Sequence, residues 1–136
     1  MMADNACVTV DSDGGKFAQV ATARTHKWAA GEPADIGGTD NGPTPHELLL
    51  SALGACTSST LEMYARNKGW PLEKVHVELE HTKETPGGTF TDTIDRVIRL
   101  DGPLSDEQRF KLLEIAEKCP IHRMLTGKIA INSLLD

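Results

Sequence analysis

One stretch constrains this chain more than any other: TPHELLLSALGACTSSTLEMYARNKG, residues 44–69. Thr44 is a capping residue, Pro45 suits a first helical position, and Glu47 stands where a capping box needs a carboxylate. The spacing predicts a helix from Pro45 to about Asn67, stopped by Gly69. Leu49, Ala52, Leu53, Cys56, Thr60, Met63 and Tyr64 recur at helical spacing and predict its buried stripe. Alanine, glycine and serine dominate from Ser51 to Ser59, and small side chains let another helix approach closely. A helix of this composition belongs at the centre of a fold, although Gly54 costs it roughly 1 kcal/mol relative to alanine.

The flanking segments alternate with period two. Cys7 to Asp11 and Phe17 to Arg24 predict a hairpin turned by Asp13-Gly14-Gly15, and Thr25 to Ala30 extends it or adds a strand. Gly31 to Thr44, rich in glycine, proline and aspartate, reads as a loop whose length suggests the border of a site or of a partner subunit. From Leu72 to Lys83, Val75, Val77 and Leu79 face inward, while His76, His81, Glu78 and Glu80 belong to the polar side. A turn at Pro86-Gly87-Gly88 leads into Phe90 to Leu100, with Ile94, Arg96, Ile98 and Leu100 on one face. Ser105 caps a helix opening Asp106-Glu107-Gln108, whose stripe is Phe110, Leu113 and Ala116, widened by Leu112 and Ile115. Pro120 opens a short helix ending near Gly127, and Ile129 and Ile131 suggest a last strand. The class is α+β, antiparallel strands around a helical core, in one domain spanning 1–136.

Composition narrows the function. The chain has 136 residues, and 14 basic against 20 acidic side chains give a net charge of -6 without any basic stripe, so nucleic acid is not an expected partner. No apolar run is long enough to span a membrane, and MMADNACV lacks an export signal, so a cytoplasmic protein with no membrane partner is expected. The apolar share of 39% with 4% aromatics leaves room for a subunit interface to supply part of the core. Gly37-Gly38 and Gly42 lack the strand–turn–helix setting of a phosphate cradle, and no Gly-x-Ser-x-Gly elbow is present.

Three cysteines do not make a structural disulfide framework. Cys56 alone, inside an alanine-rich helix, reads as a small hydrophobe or as a reactive thiol. Cys119 precedes Pro120, so its thiol stands at the mouth of a helix, where unpaired N–H groups favour a thiolate. Were the two sulfurs to meet, one could be oxidised by a peroxide to a sulfenic acid and the other could capture it as a disulfide. Cys119-x-x-His122 is half of a zinc pattern with no second pair, so no metal is expected. Arg123 either supports a thiolate or faces water, and Cys7 lies apart in the terminal strand.

Pro45-x-Glu47-Leu48-Leu49-Leu50 running to Ala55-Cys56, together with Cys119-Pro120, resembles the osmotically induced and organic-hydroperoxide-resistance (OsmC/Ohr) family, in a divergent branch. The resemblance implies an OsmC-like fold, with antiparallel sheets wrapped around central helices in an intertwined homodimer. It further implies a thiol-dependent peroxidase acting on organic hydroperoxides without a cofactor, and regenerated by a dithiol or lipoylated reductant. Cys56 would be the peroxidatic thiol and Cys119 the resolving one. Peroxidase branches carry a glutamate ten residues before the first cysteine; this chain has His46 there, with Glu47 next to it. Arg24, His46 and Glu47 are the candidates for tuning the thiolate, each also readable as a surface residue. The alternative reading is a non-enzymatic small-molecule binding or stress-associated protein of the same fold.

Overall fold

The computed structural model describes residues 5–84, 87 and 91–136. The turn expected at Pro86-Gly87-Gly88 lies outside these apart from Gly87, as do Phe90 and the first four residues. The chain divides into two compact units, one up to Leu49 and one from Leu50 to Asp136.

The first unit is a three-stranded antiparallel sheet in the order β1-β2-β3, with β1 Thr9–Ser12, β2 Gln19–Ala23 and β3 His26–Ala30. Thr25 to Ala30 therefore adds a strand of its own. Ala23 pairs with His26, leaving Arg24 and Thr25 as a two-residue turn in which Arg24 takes a φ of 55°. The segment after β3 is a loop holding one short 3-10 turn, Ala34–Ile36. It folds back on itself: the Gly31 N–H donates to Pro43 O at 3.1 Å, and the Asp40 N–H to Glu32 O at 2.9 Å.

Helix α1 runs Pro45–Lys68. Its capping box forms as the sequence predicts, the Thr44 N–H donating to Glu47 Oε1 at 2.9 Å and the Glu47 N–H to Thr44 Oγ1 at 3.2 Å. It ends in a Schellman turn: Gly69, at φ 71°, donates to Arg66 O, and the Trp70 N–H reaches back to Ala65 O.

In the second unit, β4 Lys74–Glu84 and β5 Thr91–Asp101 form an antiparallel hairpin, with Val75 opposite Leu100, Val77 opposite Ile98 and Leu79 opposite Arg96. Helix α2 spans Asp106–Ala116 and α3 spans Pro120–Leu125. Ser105 caps α2 with a complete capping box to Gln108. The core gathers Leu61 and Ala65 of α1, Leu104, and Leu112, Ile115 and Ala116 of α2, with Tyr64, Trp70, Val75, Ile98 and Leu100 packed against it. Full burial of a leucine such as Leu61 or Leu112 stabilises by about 1.5–3 kcal/mol.

Two close approaches explain glycines that propensity alone would disfavour. A Cβ at Gly102 would sit 2.2 Å from Pro71 O, where the strand connection crosses the residues leading into β4. A Cβ at Gly54 would meet Leu79 Cδ1 at 2.9 Å, so the end of that leucine occupies the space a side chain on α1 would need.

Four sequence expectations change. The buried row of α1 is Leu53, Thr57, Leu61 and Ala65, while Leu49 and Met63 are exposed. The helix is rotated because the hairpin and α2 pack on the i, i+4 row carrying Leu61. In α2 the inward face is Leu112, Ile115 and Ala116, and Phe110 and Leu113 are exposed, since the latter two lie roughly 100° or more around the axis from Leu112. His81 shares the face of Val75, Val77 and Leu79 by simple period two and pairs with Asp92 at 2.8 Å, so it is not on the polar side. Residues 128–136, expected to contain a strand at Ile129 and Ile131, have no regular structure. A strand exists only by virtue of a ladder partner, and this segment forms no ladder among the described residues.

Candidate dithiol site

Cys56 lies on α1 one helical turn before Thr60, and Cys119 is the N-cap of α3. Both are free thiols, Cys56 half-buried and Cys119 completely buried. The fold brings them near one another: Cys119 lies close enough to Cys56 to push its thiol up. The first turn of α3 serves both atoms. Its His122 N–H donates to Cys119 Sγ at 3.3 Å, and its Ile121 amide is near enough to Cys56 to pull that thiol down. The sequence explains this arrangement locally. Pro120 carries no N–H and fixes φ, so the first amides available to a neighbouring sulfur are those of Ile121 and His122.

The electrostatics of Cys56 are a balance of opposing causes. Burial pushes its thiol up from the ordinary value, and the adjoining Cys119 sulfur pushes the same way by hydrogen bond and by charge. The Ile121 N–H and the Thr60 hydroxyl pull it down, and the net direction is upward.

A polar network flanks the sulfurs. The Arg96 guanidinium of β5 donates through Nη1 to Thr57 Oγ1 at 3.0 Å and through Nη2 to His122 Nδ1 at 3.1 Å. Thr57, with 0% of its surface exposed, donates its own hydroxyl hydrogen bond to Leu53 O at 2.7 Å. Because His122 Nδ1 accepts, the imidazole carries its proton on Nε2, which lies 4.0 Å from Glu117 Oε2. A pocket of about 400 Å³ opens beside this network, walled by Leu53, Ile94, Arg96, Leu113, His122 and Leu125.

Arg96 and Thr57 are the residues that motif reading passes over. The available signal was Arg96 itself, a cation in register with Ile94, Ile98 and Leu100 on the apolar face of a strand. The other candidates sit in the first unit. Arg24 is exposed in the β2–β3 turn, His46 is exposed in the first turn of α1, and Glu47 is engaged in the capping box with Thr44. Arg123 is exposed, and no cluster of three potential metal ligands occurs among the described residues. Nor is any helix among them long and apolar enough to cross a membrane.

An α+β chain of antiparallel sheets and helices that joins a mid-helix cysteine to a Cys-Pro helix cap defines a fold of known kind. Residues 38–133 match the family of OsmC-like proteins, and the chain belongs to that family. Among solved structures it is similar to an OsmC-like protein from Mycoplasma pneumoniae, at 22% identity over 93% of this chain and 90% of the other, with a TM-score of 0.79. An organic hydroperoxide resistance protein OsmC from Legionella pneumophila matches at 21% identity over 93% of each chain, with a TM-score of 0.69. The organic hydroperoxide resistance protein OhrB of Bacillus subtilis matches at 23% identity over 91% and 92%, with a TM-score of 0.64. At these identities the structures establish the shared fold. Comparison with curated proteins gives no match.

Proposed function

We propose that this protein is a thiol-dependent peroxidase reducing organic hydroperoxides through Cys56 and Cys119, working as an intertwined homodimer. The observation that carries the reading is the adjacency of the two sulfurs at the first turn of α3. The Cys56 thiolate attacks the outer peroxide oxygen, the O–O bond breaks, and the alcohol leaves with a proton. Cys56 is then a sulfenic acid. The Cys119 sulfur attacks it, expelling water and closing a disulfide, which an external dithiol or lipoylated carrier reduces as it is itself oxidised. The Ile121 N–H and the Thr60 hydroxyl stabilise the attacking sulfur. Arg24, His46 and Glu47 are the further tuning candidates, and the resemblance to hydroperoxide-resistance proteins supports an alkyl or lipid peroxide as substrate.

A second reading has its own support. The upward push on the Cys56 thiol and the histidine standing where peroxidase branches place a glutamate favour small-molecule binding without turnover. Peroxide loss separates the two. With cumene hydroperoxide and a dithiol, wild type turns over and Cys56→Ser falls to the uncatalysed rate. Equal rates for both proteins would leave the binding reading standing. Intact-mass and peptide mapping of oxidised wild type should show the Cys56–Cys119 linkage.

A further inference from the structure

Arg96 occupies a position that packing alone would give to an aliphatic residue. It alternates with Ile94 and Ile98 on β5 and stands opposite Leu79, the side chain that fills the space left by Gly54 on α1. A half-buried guanidinium there costs desolvation that leucine or isoleucine would not. Satisfying Thr57 does not account for it, because the Thr57 hydroxyl proton already goes to Leu53 O. What the guanidinium adds is a tie between elements. One end of its fork holds Thr57, the residue directly after Cys56. The other holds the ring of His122, the residue whose N–H caps Cys119 Sγ.

We propose that Arg96 is a positioning residue of the dithiol site, fixing α1 against the first turn of α3 so that the Cys56 and Cys119 sulfurs can close a disulfide. The inference rests on the two-cysteine reading above, but not on any peroxide being the oxidant. Disulfide formation demands a sulfur–sulfur distance near 2.05 Å and a narrow dihedral range, so small errors in the relative placement of two helices are costly. Well-oriented intramolecular partners gain large effective concentrations, and a misplacement of about 1 Å removes about a hundredfold. The planar, two-pronged guanidinium suits this task, since both prongs leave one rigid group and transmit position from α1 to α3. Neither sulfur bonds to Arg96; its effect passes through Thr57 and His122.

Thiol–disulfide exchange with glutathione isolates the effect from peroxide chemistry. One protein thiolate displaces glutathione thiolate from glutathione disulfide, and the second protein sulfur displaces another from the mixed disulfide. Two reduced glutathiones are released for each Cys56–Cys119 bond. Wild type, Arg96→Met and Thr57→Val are equilibrated in glutathione buffers well below their melting temperatures, quenched by alkylation, and the closed fraction is read by mass. Cys7→Ser is carried in all three proteins to remove the third thiol. The closure constant should fall at least fivefold in Arg96→Met and in Thr57→Val. A variant that is merely less stable would melt earlier yet keep the wild-type constant. Should Arg96→Met not fold, the isosteric Thr57→Val decides. Constants within fivefold of wild type overturn the role of Arg96 while leaving the dithiol intact. A wild-type protein that forms no Cys56–Cys119 bond under the most oxidising buffer overturns both.

Discussion

Thr57→Val removes one hydroxyl from a fully buried site without changing side-chain shape, so its cost can be worked from two bonds. The bond to Leu53 O, at 2.7 Å, is the cheaper loss, because that carbonyl keeps its helical N–H partner. The bond from Arg96 Nη1, at 3.0 Å, involves a charged donor, and such bonds contribute about 1.5–3 kcal/mol. Burying a methyl in place of the hydroxyl returns about 0.8 kcal/mol. The net expectation is a loss of about 1–2 kcal/mol, which at a urea m-value of about 2 kcal/mol/M moves the midpoint down by about 0.5–1 M. Arg96→Met removes the same bond from its other end, so the double variant should be destabilised by less than the sum, with a coupling of about 1–2 kcal/mol. The assay is urea unfolding of all four proteins at one fixed protein concentration, since self-association would shift the midpoint with concentration. Additivity within about 0.5 kcal/mol would refute the claim that these two side chains act as a pair.

Cys119→Ala removes two of the causes that raise the Cys56 thiol, so iodoacetamide reactivity of Cys56 should titrate at lower pH than in wild type; an unchanged or higher midpoint contradicts the influence of Cys119 on Cys56. The same upward push carries a sign for stability. The folded state holds the Cys56 proton longer than the unfolded chain, so its contribution is complete below the ordinary thiol range and is lost as pH rises through the raised value. Unfolding free energy of wild type should therefore fall more steeply above pH 8.5 than that of Cys56→Ala, where about 8.5 is the free-thiol value. Leu61→Ala opens a cavity in the centre of the second unit and should cost about 2.7–5 kcal/mol by denaturant titration. Ser105→Ala strips the α2 capping box and should cost about 0.5–2 kcal/mol, with helical circular dichroism retained.

Much of this was legible before any coordinates. The capping residues Thr44 and Ser105, the stop at Gly69, and the alternation of Val75, Val77 and Leu79 against Ile94, Ile98 and Leu100 depend on neighbours within a few residues. The local chain therefore determines them, and all appear in the fold. Cys119 as a helix cap followed from Pro120 by the same logic. The rotational phase of a helix is a different kind of quantity. Which side of α1 and α2 turns inward depends on what presses against them, and Leu61 and Leu112 won their places through contacts between segments far apart in sequence. The strand expected at Ile129 and Ile131 failed for a related reason, since a ladder needs two strands and a periodic pattern describes only one.

The site divides along the same line. The sequence by itself determined two thiols, their helical settings and the proline that frees the α3 amides. Only the tertiary structure decided that Cys56 and Cys119 lie near one another, that Ile121 and Thr60 act on the Cys56 thiol, and that Arg96 reaches Thr57 and His122. Local preferences act through neighbouring torsions and carry no information about the distance between residues sixty-three positions apart; packing of the hairpin against α1 and α2 sets that distance.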